Sequence, residues 1–126
     1  MESIAPDKVK LICRCGSFTC RPADGACLKV GDTCFAELDF EDVIDYSSVT
    51  EADKAEFSIA DENGVTNMCA LMTEYEVIND GGLITFELDG SIISVESVKD
   101  ERFLSCVGKF VSVRLRNAVV WPYDMP

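Results

Sequence analysis

The sequence predicts one mainly β domain over residues 1–126, built as an antiparallel barrel, with a two-sheet β-sandwich as the alternative and at most one short helix. Three observations predict it. Apolar and polar residues alternate with a period of two over most of the chain, the mark of strands that bury one face. Turn-forming clusters interrupt the alternation at Asp24-Gly25, Asn63-Gly64, Asp80-Gly81-Gly82 and Asp89-Gly90. Helical periodicity is scarce, and 126 residues suffice for one core but not for two ordinary domains.

Taken in order, "KVKLICRCGSFT" places Val9, Leu11, Cys13 and Cys15 on one face of a first strand. "RPADGACLKVGD" reads as a turn or loop. "DTCFAELDFEDV" is a second strand with Cys34, Ala36, Leu38 and Phe40 inward and Thr33, Phe35, Glu37 and Asp39 outward. The segment "DYSSVTEADKAEFSIADENG" has two readings: a short helix over "TEADKAEF" capped by Ser47, Ser48 or Thr50, or a long acidic loop. "TNMCALMTEYEVI" resumes the alternation, with Cys69, Leu71, Thr73, Tyr75 and Val77 on one side and Met68, Ala70 and Met72 on the other. "LITFELDGSIISVES" is a hairpin in which Ile84, Phe86 and Leu88 climb to Asp89-Gly90, a dipeptide suited to positive φ, and Ile92 to Val95 return. "KFVSVRLRNAVVW" is the last strand, with Val111, Val113 and Leu115 inward and Ser112, Arg114 and Arg116 outward, ended by Trp121-Pro122. Six or seven strands result, and closing them into a barrel removes the edges that would template aggregation.

The phrases "LKVGDTCFAELDF" and "VGKFVSVRL" resemble the opening and closing strand phrases of small bacterial OB-like barrels, over roughly Leu28 to Val120. Some of those barrels are immunity proteins that neutralise toxins of competing bacteria. The resemblance implies a fold and supplies no functional residues.

Charge narrows the function. The net charge is −12, and residues 32–101 alone carry −17, flanked by a +2 segment before and a +3 segment after. Such a field repels phosphates and anionic lipids and speeds encounter with cationic surfaces. A modest part of it is what solubility alone asks for. The basic residues Lys109, Arg114 and Arg116, joined by Arg14 and Arg21, make a thin groove for a nucleic acid, and their simpler role is internal pairing with the acidic strands.

Histidine is absent, which removes Ser-His and Cys-His nucleophile pairs and the commonest general base. Asp39 with Glu41, and Glu74 with Glu76, lie two apart on a strand and could share a proton or a divalent cation, yet such spacing is ordinarily a solvated face. No enzyme activity, metal or cofactor is expected. The seven cysteines, Cys13, Cys15, Cys20, Cys27, Cys34, Cys69 and Cys106, lack the paired Cys-x-x-Cys spacing of zinc knuckles and read as free thiols. "MESIAPDKVK" has neither the basic start nor the apolar stretch of a secretory signal, and no run approaches a membrane span, so a cytoplasmic location is expected.

What remains is a protein-binding role. Phe35, Glu37, Asp39, Glu41, Asp42, Asp45 and Tyr46 combine steering charge with aromatic anchors. They are the candidate partner-binding residues of a non-enzymatic inhibitor of a cationic protein, such as a nuclease toxin. The alternatives are an OB-like single-stranded nucleic-acid-binding module and a structural or assembly subunit. Solvated carboxylates at Asp39, Glu41, Asp42 and Asp45 are expected to contribute little to folding.

Overall fold

A computed structural model describes residues 2–5, 8–22 and 35–123, with side chains over 10–22 and 38–120. The described chain is mainly β, and its sheet curls strongly into a half-barrel. The strands are β1 (Glu2–Ala5), β2 (Lys8–Cys13), β3 (Gly16–Pro22), β4 (Phe35–Phe40), β5 (Val43–Ile44), β6 (Val49–Glu51), β7 (Ser58–Glu62), β8 (Val65–Ile78), β9 (Gly81–Leu88), β10 (Ser91–Val98), β11 (Phe110–Leu115) and β12 (Ala118–Tyr123). Two 3-10 segments, Tyr46–Ser48 and Glu101–Cys106, are the helical elements among the described residues.

The strand count exceeds the six or seven expected because several sequence runs break where alternation gives no warning. The run through Cys13 and Cys15 is a hairpin, with β2 antiparallel to β3 and Cys13 opposite Gly16. Gly16 makes the corner: its φ is +142°, and a Cβ there would stand 2.0 Å from the Ile59 carbonyl oxygen. Backbone therefore packs directly on backbone, and the Ile59 N–H donates to the Cys15 carbonyl at 3.0 Å. The final run likewise divides into β11 and β12, and Trp121-Pro122 lies inside β12 rather than ending a strand. Of the two readings around "TEADKAEF", the helix does not form: its first residues are in β6, antiparallel to β11, and residues 52–57 run on to β7 without a helix or strand. The loop expected before β4, with Thr33 and Cys34, lies outside the described residues apart from Arg21 and Pro22, which end β3.

Strand β8 is the hub. Its residues Thr66 to Leu71 pair with β11, and on the opposite edge β7 pairs over Val65 to Cys69 and β9 takes over from Leu71. Thr66, Met68, Ala70 and Met72 are buried, after which the register shifts between Met72 and Glu74 and the next buried residue is Tyr75. One extra residue in a strand bends it and reverses the face of everything that follows. The Thr73 hydroxyl marks the bulge, donating to the Thr85 carbonyl at 3.2 Å. The even spacing of Met68, Ala70 and Met72 thus joins Tyr75 on the core side, whereas the sequence reading placed them on opposite sides.

The hairpin at Asp89-Gly90 forms as expected, with φ of 48° and 89°, and pairs β9 with β10 over their whole lengths. Ile84, Phe86 and Leu88 point inward and meet Ile93 and Val95 from β10. Three short parallel contacts, β3 with β7, β12 with β3 and β5 with β10, stitch the otherwise antiparallel sheet together.

Glu101–Cys106 closes one end of the curl. Asp100 caps it by accepting from the Arg102 N–H at 3.0 Å, and its own N–H donates to the Tyr75 hydroxyl at 3.0 Å. Phe103 is fully buried, with its ring centroid 5.3 Å from Tyr75 and 5.5 Å from Tyr46. Burying a Phe side chain contributes about 2–3 kcal/mol.

Gly16→Ala is expected to cost about 2–4 kcal/mol, since strained backbone and overpacking both apply. At Gly90 the space is open, so Gly90→Ala is expected to cost only about 1–2 kcal/mol for its positive φ. Urea midpoints of the two variants check the order; equal losses at the two positions contradict the close packing of the Gly16 corner.

Candidate functional site

The acidic stretch singled out from the sequence is divided by the fold into residues with different tasks. Phe35 and Glu37 lie on β4, with side chains outside the described set. Asp39 is exposed, and its Oδ1 accepts the N–H of the following Phe40 at 2.9 Å. Glu41 is not without a cation, since Arg21 on β3 is its ion-pair partner. Asp42 is a structural ligand: its two oxygens accept the N–H groups of Arg116 and Asn117 at 2.8 and 2.9 Å, satisfying the backbone where β11 gives way to β12. The expectation that Asp42 is a solvated carboxylate of little consequence for folding is therefore corrected.

Asp45 is exposed and accepts from the Ser47 hydroxyl at 2.5 Å, a bond that holds its carboxyl below the usual carboxylate range. Tyr46 is half-buried, its ring edge against Phe103 and the Arg102 guanidinium 4.5 Å over its face. It anchors the 3-10 segment rather than standing free.

A second acidic surface was not assembled by sequence reasoning. On the outer face of β8, β9 and β10, Glu76, Leu83 and Glu96 lie in one row across the sheet, and Glu74, Thr85 and Ser94 in the next. Glu87 lies opposite Ile92 in the row beyond. Val43 of β5 extends the first row beside Glu96, so this face is contiguous with the stretch that follows Phe40. Glu74, Glu76, Glu87 and Glu96 have no ion-pair partner among the described residues. Val43 and Ile92 beside them are each 62% exposed. Glu76 and Glu96 are separated by two strand spacings, about 10 Å, where repulsion in water is about 0.4 kcal/mol. That is small enough for the fold to tolerate and adds up for an approaching cation. The missed signal was the switch in apolar parity from Met72 to Tyr75, which announces a bulge and turns Glu74 and Glu76 outward.

The cations have local partners too. Arg14 pairs with Asp89 at 2.9 Å, Lys109 with Glu51 at 3.7 Å, and the Arg114 guanidinium donates to the Ser47 carbonyl at 2.7 Å.

A groove of about 710 Å³ lies between the β2–β3 corner, Leu38 of β4 and the β9–β10 corner. Leu11, Phe18, Leu88 and Ile93 make its floor, and the Arg14–Asp89 pair bridges the two hairpin corners. Cys13, exposed, and Cys15, half-buried, line it as well. Cys20 is buried elsewhere on β3, and burial, reinforced by the Asp61 charge, pushes its thiol up to about 11. No group of three or more Cys, Asp or Glu side chains converges as a metal site among the described residues. No helix there is long and apolar enough to cross a membrane. Comparison with protein-family profiles, characterised proteins and solved structures finds no match for the chain.

Asp42→Ala is expected to lose about 1–3 kcal/mol of stability, because two backbone donors lose a charged acceptor. Asp39→Asn should stay within about 0.5 kcal/mol of the parent. Chemical denaturation of the pair checks this, and a neutral Asp42→Ala removes the structural role. The thiol of Cys20 predicts a pH effect of defined sign. Its folded value of about 11 lies above the ordinary 9.0, so the folded protein keeps a proton that the unfolded chain has released. Stability is then full below pH 9 and falls as pH rises toward 11. Cys20→Ala should flatten that part of the curve, as measured by thermal melts across the range.

Proposed function

We propose that the protein is a non-enzymatic acidic binding protein that inhibits a cationic protein partner, of the immunity type, working in the cytoplasm on an OB-like barrel scaffold. The observation that carries the reading is the outer face of β8–β10: four carboxylates without ion pairs among the described residues, interleaved with exposed Val43 and Ile92. Fold stability gains nothing from holding like charges in adjacent rows. A partner that brings cations gains both faster encounter and complementary contact. Apolar groups among the charges supply the desolvated centre that productive interfaces need.

The placement of the acids refines which residues belong to the surface. Asp42 and Tyr46 serve the fold, Glu41 is engaged by Arg21, and the binding role falls on Asp39, Glu74, Glu76, Glu87 and Glu96. Inhibition follows from occupancy: a surface that fills a cationic active site blocks it without chemistry of its own.

The test is to isolate the partner from the source cell by affinity capture and measure its binding kinetics. Glu74→Gln, Glu76→Gln and Glu96→Gln combined should leave the circular dichroism spectrum and urea midpoint unchanged. Association with the partner should slow by roughly tenfold or more at low salt, the difference shrinking as ionic strength rises. An association rate equal to the parent's at every salt concentration makes the face a solvated surface and removes the proposal. Tight, salt-sensitive binding to single-stranded oligonucleotides would favour the nucleic-acid-binding alternative instead.

A further inference from the structure

We propose that Cys13 and Cys15 form a two-thiolate site for a soft monovalent cation of the copper(I) type, at the β2–β3 corner of the groove. The proposal is independent of the acidic face and its partner.

Geometry carries it. Leu11, Cys13 and Cys15 all line the same groove even though the chain turns at Arg14 and Cys15, so both cysteines border one space. The corner that sets their spacing is fixed before any ion arrives. Gly16 admits no side chain against the Ile59 carbonyl, and the Cys15 carbonyl is held by the Ile59 N–H at 3.0 Å. A backbone corner held in place by packing presents both residues without first having to be ordered. Cys20 and Cys106 are buried elsewhere and Cys69 lies on β8, so none of these makes up a larger cluster with the pair.

Chemistry selects the ion. Thiolates favour soft cations, copper(I) among them. A structural zinc asks for four ligands, and the described residues do not bring even three suitable groups together. A closed-shell monovalent ion is satisfied by two sulfurs in a linear arrangement. Each binding event replaces two thiol protons: two R–SH and one Cu⁺ give one Cu(SR)₂⁻ and two H⁺, with charge and atoms balanced. The single negative charge left lies beside Arg14, whose partner Asp89 is 38% exposed and able to turn to water.

Because each binding event releases two protons, uptake should strengthen with rising pH.

The experiment is an anaerobic titration of the reduced full-length protein with copper(I) against the chromophoric chelator bathocuproine disulfonate. Cys13→Ser and Cys15→Ser are compared with Cys69→Ser as a control. The parent and the control should take one more copper equivalent from the chelator than either Cys13→Ser or Cys15→Ser, with release of two protons for that equivalent. X-ray absorption of the equivalent that distinguishes them should show two sulfur neighbours and no nitrogen. Equal copper retention by the parent and Cys13→Ser overturns the proposal, as does a parent that withdraws no copper from the chelator. Cys13 is exposed, so its serine variant keeps the fold and the test stands even if Cys15→Ser proves unstable.

Discussion

A strand as long as β8, paired on both edges over its first half and by β9 over the rest, must keep one face apolar over its length, and a strict period of two does not do this with the residues available. Followed evenly from Thr66, the inward positions run through Met68, Ala70 and Met72 to Glu74 and Glu76. Two buried, unpaired carboxylates would cost far more than the core around them returns. The shift between Met72 and Glu74 resolves the conflict by inserting one residue, after which Tyr75 takes the inward place. Tyr75 then meets Phe103 and receives the Asp100 N–H, which is how the end of the curl is closed. The same shift turns Glu74 and Glu76 to the outer face. Core, closure and acidic surface thus share one cause.

Carboxylates in this chain fall into two classes that composition cannot separate. Asp42, Asp45 and Asp100 accept N–H or O–H donors close at hand, and Glu41, Glu51 and Asp89 meet cations. Their role is local, either satisfying backbone groups at strand and 3-10 ends or tying one strand to another. Glu74, Glu76, Glu87 and Glu96 have no such task among the described residues. A local segment count of −17 merges both classes, and the fold is needed to divide them.

The sequence is legible where structure is set by neighbours in the chain. Asp89-Gly90 supplies its own turn conformation, and Ile84, Phe86 and Leu88 announce a half-buried strand, so the hairpin and the inward face of β9 are readable. It is illegible where distant parts set the geometry. Alternation continues smoothly through Cys13 and Cys15, and the turn there depends on the fit of Gly16 against Ile59, over 40 residues away. The break between β11 and β12 depends on Asp42, which reaches N–H groups 74 and 75 positions distant. "TEADKAEF" has the composition of a capped helix, yet pairing of β6 with β11 outweighs a weak local preference. Of the candidate site, the sign and approximate place of the charge were readable. The rows formed by Glu76 with Glu96 and by Glu87 with Ile92 were not, because they exist only in the register of three strands.

Curling the sheet gives its two surfaces different chemistry. The buried side gathers Phe18, Phe86, Phe103, Met68 and Met72, and where the curl stays open, between the two hairpin corners, its apolar floor becomes the wall of a groove. The Arg14–Asp89 pair spans that opening, but with side chains 84% and 38% exposed it contributes at most about 1 kcal/mol. The groove is therefore framed by backbone, through Gly16 on one side and the Asp89-Gly90 turn on the other, and not by its ion pair. The outer side carries carboxylates without ion pairs among the described residues on strands joined to one another in a continuous ladder, so those charges sit on hydrogen-bonded strand rather than on loops. A rigid array of charge loses little entropy when a partner docks, whereas the same carboxylates on a loop would have to be ordered first.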